Sequence, residues 1–534
     1  MKISLCQLNF SLGDFKKNKE KIINNYNESI DNGADLVVFP EMSTVGYPPQ
    51  DLLLDKNFVD KNIKTTIEIS KFSTKPMIFG CIRRKGLKLY NSAAICYSGI
   101  VQKYIDKVLL PTYDVFDESR YFSSGEKPEV WEFSFNGKII KIGIQICEDL
   151  WDDDYDCKVS QIQKDLGANL IINISASPYS RGKANDRINL INEKVKNTGI
   201  PFIYCNMVGA QDELIYDGES FAVNSSGTIV AYLKSFSEDK IIVDINSKKA
   251  LKINPFSYEE KTYKALVLGL RDYFQKTNHT EAVIGLSGGI DSALVCCLAV
   301  EALGENHVHG VSMPSKYSSS HSLRDAKQLA DNLDIDYKVI SIEDLVEKYD
   351  DTLVAFFKDL ESDETEQNIQ SRIRGNILMA LSNKFNWIVL STGNKTELAL
   401  GYCTLYGDMS GGLSVISDLS KLDVYSVSKW INEKFPQRIP QNTIDKTPSA
   451  ELAEDQFDPF NYDIVSPLVE ELVVGLKNRD ELVSDGFNPE LIDEISALIR
   501  ANEFKRRQSA PGLKISKKAF GIGRRIPIVS KYRG

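Results

Sequence analysis

Two rhythms of apolar residues run along the chain. ISLCQLNF, ADLVVFPE, KIGIQICE, ANLIINISAS and PFIYCNMV are short apolar or alternating runs bounded by polar residues or glycine, the pattern of buried strands. FKKNKEKIINNYNESIDNG reads as a helix ending on Gly33, and QIQKDLG as a shorter one. MIFGCIRR and NSAAICYSG form a hairpin pair, and ESFAVN and KIIVDIN add strands. NGADLVVFPEMS and LGANLIINISAS share one plan of helix end, glycine and apolar strand, which predicts two related strand–helix halves rather than a short-period repeat. An α/β sandwich with helices covering the sheet faces is expected. At INSKKALKINPFSYEEKTY the apolar runs give way to polar residues and a proline, so a boundary is predicted between Asn246 and Tyr258, with domains at 1–246 and 258–534.

A second alternation follows. EAVIGL, HVHGVSMP, DYKVISI and WIVLSTG are strands, and DSALVCCLAVEAL and HSLRDAKQLADNL are helices. The latter carries Leu323, Ala326, Leu329 and Leu333 on one face. On a helix at 367–384, Ile369, Ile373, Ile377 and Leu381 form the buried stripe, while Asn368 and Arg372 share another face that could meet a substrate. Strands separated by helices imply a doubly wound parallel sheet with its ligand at the strand carboxyl ends.

At 534 residues the chain exceeds one ordinary core, and its 42% hydrophobic content is that of a soluble globular protein. No run reaches transmembrane length, MKISLCQLNFSLGDF has no apolar leader core, and the nine cysteines form no C-x-x-C pair. A cytoplasmic protein with reduced thiols and no membrane partner is expected. A net charge of −10 argues against a nucleic-acid partner. Phe504–Gly534 nevertheless holds ten Lys/Arg and no acid, either a solvated tail or an anion site for a phosphorylated ligand. The four histidines are His279, His307, His309 and His321. None lies in the first 278 residues, which excludes Cys-His and Ser-His-Asp catalysis and any histidine-bearing metal site there.

The strand IGIQI ends on Cys147, followed by Glu148, Asp149, Asp152, Asp153, Asp154 and Asp156. Nearby negative charge disfavours a thiolate, so Cys147 is either core filling or has its field offset elsewhere. Glu41, after LVVFP, and Lys107, in DKVLLP, are two further strand-tip positions. A lysine near the thiol would stabilise thiolate and oxyanion, and a glutamate could take the thiol proton and return it to a leaving amine. FPEMS, DKVLLPTYDVFDESRYF and CEDLW together resemble the nitrilase superfamily, in its glutamine-amidase branch, over roughly residues 1–245. The resemblance implies an αββα sandwich, with Glu41 as general base, Lys107 as electrostatic stabiliser and Cys147 as nucleophile. It also implies that Glu148 holds the substrate ammonium, that ISASPYSRGK is the substrate loop, and that glutamine is bound by Tyr113, Ser177 and Lys183.

AVIGLSGGIDSALVCCLAV reads as strand, glycine turn and helix, so successive N–H groups face an anion at the helix start. Ser287 and Ser292 add hydroxyls, and Asp291 can hold Mg²⁺. No GxxxxGK[ST] is present, which fits cleavage between the α- and β-phosphates. Gly285, Ser287 and Gly289 also match the Gly-x-Ser-x-Gly elbow of serine hydrolases, but that chemistry needs a later histidine, and only His307, His309 and His321 follow, all within the next strand and helix.

SGGIDS resembles the pyrophosphate-binding loop of the N-type ATP pyrophosphatases. Joined to a nitrilase-type glutaminase, it resembles the glutamine-dependent NAD synthetases, as do STGNKTELALGYCTLYGDMSGGLSVISDLSKLDVY, TPSAEL and EFKRRQSAPGLK. The alternative is another glutamine-hydrolysing amidotransferase of the same class. The resemblance implies ATP and Mg²⁺, with deamido-NAD⁺ and L-glutamine as co-substrates. ATP contacts fall on Gly285, Leu286, Ser287, Gly288, Gly289, Ile290, Asp291, Ser292, Thr392 and Lys421. Deamido-NAD⁺ contacts fall on Asn368, Arg372, Glu397 and Lys505, and metal ligands on Asp291 and Glu397. It further implies a homo-oligomer, at least a dimer through the second domain, and a sheltered route for neutral ammonia. EDQFDPFNYDIVSPLVEEL departs from the family pattern in lacking an Asp-Glu pair soon after its glutamine.

Overall fold

In the first half the period-two pattern builds two sheets with one shared plan. The computed structural model describes residues 1–253, 255–453 and 456–532. The chain divides into Met1–Pro255 and Phe256–Gly534. In the first unit the strands are β1 (Lys2–Gln7), β2 (Leu36–Val38), β3 (Met77–Lys85), β4 (Lys88–Tyr97), β5 (Ile100–Asp106), β6 (Val130–Phe135), β7 (Lys138–Ile146), β8 (Leu170–Ser175) and β9 (Phe202–Asn206). They continue as the hairpin β10 (Val208–Gln211) and β11 (Leu214–Asp217), then β12 (Phe221–Val223), β13 (Ile229–Tyr232) and β14 (Asp239–Asp244). The helices are α1 (Phe15–Asp31), α2 (Lys56–Ser70), α3 (Val159–Asp165) and α4 (Lys183–Thr198).

One sheet has the order β14-β1-β2-β3-β4-β5 and the other, read from its far edge, β6-β7-β8-β9-β12-β13. Both have a parallel centre, β1-β2-β3 and β7-β8-β9, flanked by antiparallel strands. Alternation decides the layers. Ile3, Leu5, Leu36, Val38 and Ile78 meet Ile142, Ile144, Ile146, Leu170, Ile172 and Ile174 in a core between the sheets. Side chains of opposite parity face the helices: Val37, Met77 and Phe79 pack with Ile22, Tyr26, Phe58 and Ile69, and Ile171, Phe202 and Tyr204 with Leu190, Ile191 and Val195. Each buried Ile or Leu contributes about 1.5–3 kcal/mol of transfer free energy, so a one-residue register slip would be heavily penalised. The result is an αββα sandwich. Gly80 on β3 permits its tightest approach, because a Cβ there would lie 2.1 Å from Met42 N and 2.5 Å from the Glu41 Cα.

The second unit contains β15 (Ala282–Gly285), β16 (Val308–Ser312), β17 (Asp336–Val339), β18 (Ile388–Ser391) and β19 (Leu413–Ser414). Its first helices are α5 (Tyr258–Thr277), α6 (Ile290–Leu303), α7 (Ser320–Leu333), α8 (Glu343–Phe357), α9 (Glu364–Phe385), α10 (Lys395–Leu400) and α11 (Lys421–Lys434). The sheet order is β17-β16-β15-β18-β19, all parallel. The chain winds outward from β15 one way and then from β18 the other, which leaves a crevice at their carboxyl ends. Ile369, Ile373, Ile377 and Leu381 of α9 pack on Val283, Val311 and Val389. On α7, Ala326, Leu329 and Leu333 are buried, whereas Leu323 is half-buried and borders the crevice. Helices Tyr462–Val473 and Pro489–Ala501 form a smaller core with Ala399 and Leu400 of α10. Among the described residues no helix is long and apolar enough to cross a membrane, and the nine cysteines are free.

Candidate functional site

In the first unit three strand tips converge. Glu41 follows β2, Lys107 follows β5 and Cys147 follows β7. Lys107 Nζ lies 2.9 Å from Glu41 Oε1 and 2.8 Å from Glu118 Oε1. Glu41 also accepts from Asn91 Nδ2 (2.7 Å) and from the Ala176 N–H (2.8 Å), and Glu118 accepts from Tyr47 OH (2.7 Å). Glu41, Lys107, Glu118 and Cys147 are all buried, the most exposed being Cys147 at 6%.

Cys147 itself has φ +46, in the left-handed region that a side chain rarely adopts, at the turn from β7 into a 3-10 segment. Asp149 holds that turn in place. Its carboxylate accepts from the N–H groups of Ile146 (3.0 Å), Val108 (3.0 Å) and Leu109 (2.9 Å), tying the Cys147 turn to the segment after Lys107. Burial pushes Asp149 up to about 7 even against those donors.

Burial is also the largest influence on the Cys147 thiol, which it drives well above the ordinary range. Glu41 adds to the rise and Lys107 opposes it. Burial pulls Lys107 down, but Glu118 and Glu41 outweigh it and hold the ammonium charged. The resting group is therefore a thiol beside a permanent cation, and it needs a base to become a nucleophile.

The acids that follow Cys147 separate by role. Glu148 accepts from Tyr113 OH (2.9 Å) and Tyr155 OH (3.1 Å). Asp152 and Asp153 pair with Lys194 at 2.5 and 2.6 Å. The carboxylates that act most on the thiol are Glu41, Glu148 and Glu118, so the expected field of the aspartate run is spent elsewhere. Ser177, just past β8, is buried, with its N–H on Asn206 Oδ1 (2.9 Å). Lys183 opens α4, with Nζ 3.6 Å from the Trp151 ring centroid. Burial, then Arg187, lowers it to about 8. Tyr113 is half exposed.

In the second unit a cavity of about 300 Å³ opens at the carboxyl ends of β15, β16 and β18. Gly285, Leu286, Ser287, Gly289, Ile290, Asp291 and Ser292 line it, with Thr392, Glu397 and Lys421. Gly288 does not line it. At φ +78 it packs against the Ser322 backbone, where a Cβ would fall 2.3 Å from the Ser322 carbonyl oxygen. Its part is to let the loop turn rather than to border the space.

Lys421 Nζ lies 2.6 Å from Asp291 Oδ2 and 3.0 Å from Glu397 Oε1, and Asn394 Nδ2 donates to Asp291 Oδ1 at 2.9 Å. Burial raises Glu397 to about 7, with Lys421 opposing and Asp291 adding. The two carboxylates converge on one cation, now the Lys421 ammonium, and a divalent ion held by both would have to displace it. Among the described residues no third His, Cys, Asp or Glu joins them. Further ligands would have to be phosphate oxygens and water.

Asn368, Arg372 and Lys505 do not line the cavity. They gather behind the loop after α10: Thr404 Oγ1 donates to Asn368 Oδ1 (2.6 Å), Arg372 Nε to Leu405 O (3.2 Å), and Lys505 Nζ to Gly401 O (2.7 Å) and Cys403 O (2.9 Å). The same loop presents Cys403, Gly407 and Asp408 to the cavity. Arg506 donates to Leu398 O and Ala399 O, so part of the basic tail caps the carboxyl end of α10. Arg533 and Gly534 of that tail, Glu454 and Asp455 of the divergent segment, and Asn254 at the domain boundary lie outside the described residues.

Ser287 Oγ meets Ser292 Oγ (3.3 Å) and the Gly289 N–H (3.1 Å). His309 instead stacks on Trp387 and bonds Glu281 and Asp336, His321 faces Ser319, and no imidazole among the described residues is bonded to Ser287. The serine-hydrolase alternative therefore lacks its base.

Sequence reasoning missed Glu118, Asn394, Arg374 and Glu451. Arg374 borders the cavity with Nε on Met313 O (2.9 Å), and burial lowers it to about 10. Glu451 accepts from Ser322 Oγ (2.6 Å) and Ser319 Oγ (2.8 Å). Glu118 and Glu451 stand inside DESRYF and TPSAEL, so the signal was present in segments already singled out.

Residues 2–253 match the carbon-nitrogen hydrolase family and residues 262–509 the NAD synthase family. Glutamine-dependent NAD(+) synthetases from Synechocystis sp., Thermotoga maritima and Acinetobacter baylyi are 43%, 39% and 38% identical, over 99–100% of this chain and 99% of each relative. The structure of the glutamine-dependent NAD(+) synthetase from Acinetobacter baumannii, in complex with ADP, is 36% identical with a TM-score of 0.80, covering 99% of this chain and 98% of that one. With a buried Glu-Lys-Cys centre in one unit, a glycine-loop cavity in the other, and relatives matched from end to end, the chain belongs to the glutamine-dependent NAD(+) synthetases.

Proposed function

We propose that the enzyme amidates deamido-NAD⁺ through an acyl-adenylate, with nitrogen released from glutamine at Cys147. The observation that carries the first half is the buried Glu41–Lys107 pair acting on a protonated thiol. Glu41 takes the thiol proton as Cys147 attacks the glutamine side-chain amide. Lys107, with a backbone N–H, stabilises the oxyanion. Glu41 returns the proton to the leaving nitrogen, ammonia departs, and water releases glutamate from the thioester. Glu148 and Tyr113 hold the substrate ammonium, and Ser177 and Lys183 its carboxylate.

In the second unit the loop N–H groups and the hydroxyls of Ser287 and Ser292 receive the ATP phosphates at the start of α6. Thr392 lies beside the nucleotide. Asp291 and Glu397 would hold Mg²⁺, whose charge on the phosphates would favour cleavage at the α-phosphate. Lys421, whose ammonium would give up its place between the two carboxylates, would then neutralise charge as pyrophosphate leaves. The carboxylate of deamido-NAD⁺ becomes AMP-activated because a carboxylate oxygen is a very poor leaving group. Asn368, Arg372 and Lys505 would meet the dinucleotide through the loop after α10, and the ADP complex of the Acinetobacter baumannii relative supports an adenine nucleotide as a ligand of this chain. The nitrogen has to arrive as NH₃, since ammonium has no lone pair.

Incubation with deamido-NAD⁺, ATP, Mg²⁺ and glutamine, followed by product analysis, tests the whole scheme. AMP, pyrophosphate and glutamate should accumulate with NAD⁺. ADP in place of AMP would overturn the adenylate.

A further inference from the structure

Arg187 is among the largest fully buried side chains of the described residues. It stands one helical turn after Lys183 on α4. Nη1 makes both of its bonds to Asp217, at 2.7 and 2.9 Å, on the hairpin β10–β11. Nη2 turns to the segment just past β8, donating to Ser177 O (2.9 Å), Ser177 Oγ (3.1 Å) and Pro178 O (3.2 Å). Asn206 completes the grip, accepting from the Ser177 N–H at 2.9 Å. Ser177 is thus held at its nitrogen, its carbonyl and its hydroxyl.

The bond to the hydroxyl has a chemical consequence. A hydroxyl carries one proton and two lone pairs. With Arg187 donating to one lone pair, the Ser177 proton cannot point at Arg187 and is left for another acceptor. A guanidinium has no lone pair, so this polarity cannot reverse. Lys183, one turn earlier on α4, rests on the Trp151 ring, and Glu148 is among the groups whose charge acts on its ammonium. The residue before Ser177 donates its N–H to Glu41. A shift of this segment would therefore be felt at the proposed base as well.

We propose that Arg187 is a positioning residue that fixes Ser177 as an obligate hydrogen-bond donor to the substrate carboxylate, so that the Cys147 site selects substrates with a carboxylate beside the amine. This rests on the glutamine-amidase reading of Cys147 and deepens it. Arg187 touches no substrate and acts through Ser177.

The test uses the full-length enzyme and follows ammonia release from L-glutamine and from 4-aminobutanamide, which is glutamine without its α-carboxylate. Arg187→Met combined with Asp217→Asn removes both buried charges, so no unpaired carboxylate is left. The preference for glutamine over 4-aminobutanamide, as a ratio of kcat/KM, should fall by about tenfold or more, mainly through KM for glutamine. In a Ser177→Ala background the same pair of changes should alter that ratio by less than about twofold, since the intermediary is already gone. Should the double variant melt early, Arg187→Lys, which keeps the charge but loses the fork, should show the same fall in preference to a smaller degree. An unchanged preference in folded double variant and Arg187→Lys alike would overturn the proposal, as would full additivity with Ser177→Ala. If the unaltered enzyme released no ammonia from glutamine at all, the amidase reading would fall first.

Discussion

Lys107 and Lys421 make the same local pattern, an ammonium between two carboxylates, and the two settings differ in what surrounds it. Around Lys107 the remaining carboxylate positions are taken by Asn91, Tyr47 and the Ala176 N–H, and the cluster is sealed. Around Lys421 the carboxylates of Asp291 and Glu397 border an open cavity, with Asn394 as their one neutral side-chain donor among the described residues. A sealed triad fixes a cation beside a thiol for good. A triad at a cavity wall leaves its ammonium and its carboxylates able to take new partners when a charged ligand enters. One charge pattern can therefore serve as a rigid electrostatic fixture or as an exchangeable counter-ion set, and the packing of neutral donors decides which.

The sharpest way to break this comparison is to remove the thiol. Cys147→Ala should lower glutamine-driven NAD⁺ synthesis by about a thousandfold or more while ammonium salts still support synthesis, measured as AMP formed with each nitrogen source. Loss with both sources would mean that the two centres do not work separately. Next in size, Asp291→Asn should lower synthesis about a hundredfold with either nitrogen source, yet leave glutamine hydrolysis measurable in the absence of ATP. Lys107→Met leaves Glu41 and Glu118 buried without a cation, so it should cost about 3–5 kcal/mol of stability in the first unit, read by denaturant melting, whereas Lys421→Met at the cavity wall should cost clearly less. Equal losses would erase the distinction between sealed and open settings.

The smallest effect is on pH. Lys183, lowered to about 8, is charged below that value and loses its proton as pH rises through it. The KM for glutamine should therefore rise several-fold between pH 7 and 9, and a Lys183→Met variant should show a high, pH-flat KM over that range.

Much of this was legible in the sequence, and for definite reasons. Period-two strands such as IGIQI and the twin stretches around β2 and β8 encode both which face is buried and how each sheet is centred. The absence of histidine from the first 278 residues directs attention to Glu41, Lys107 and Cys147. What stayed hidden depends on contacts between distant segments. Glu118 in DESRYF looks like a loop acid on a solvated face, and only its 2.8 Å approach to Lys107 gives it meaning. Asp152 and Asp153 look like part of a field on Cys147 until Lys194, over forty positions away, takes them. The resemblance names Lys505 as a dinucleotide contact, but only folding shows that its ammonium rests on the carbonyls of Gly401 and Cys403. Composition reports how many charges a segment has, whereas their partners are set by folding.

The twin sheets of the first unit carry a last implication for how the chain matures. Glu41 and Lys107 sit on one sheet, and Cys147 and Ser177 on its counterpart. The thiol therefore meets Glu41 and Lys107 only where the two layers dock. A chain whose two sheets have not docked holds an unarmed sulfur, so the onset of glutamine cleavage on refolding would time the closing of the sandwich itself.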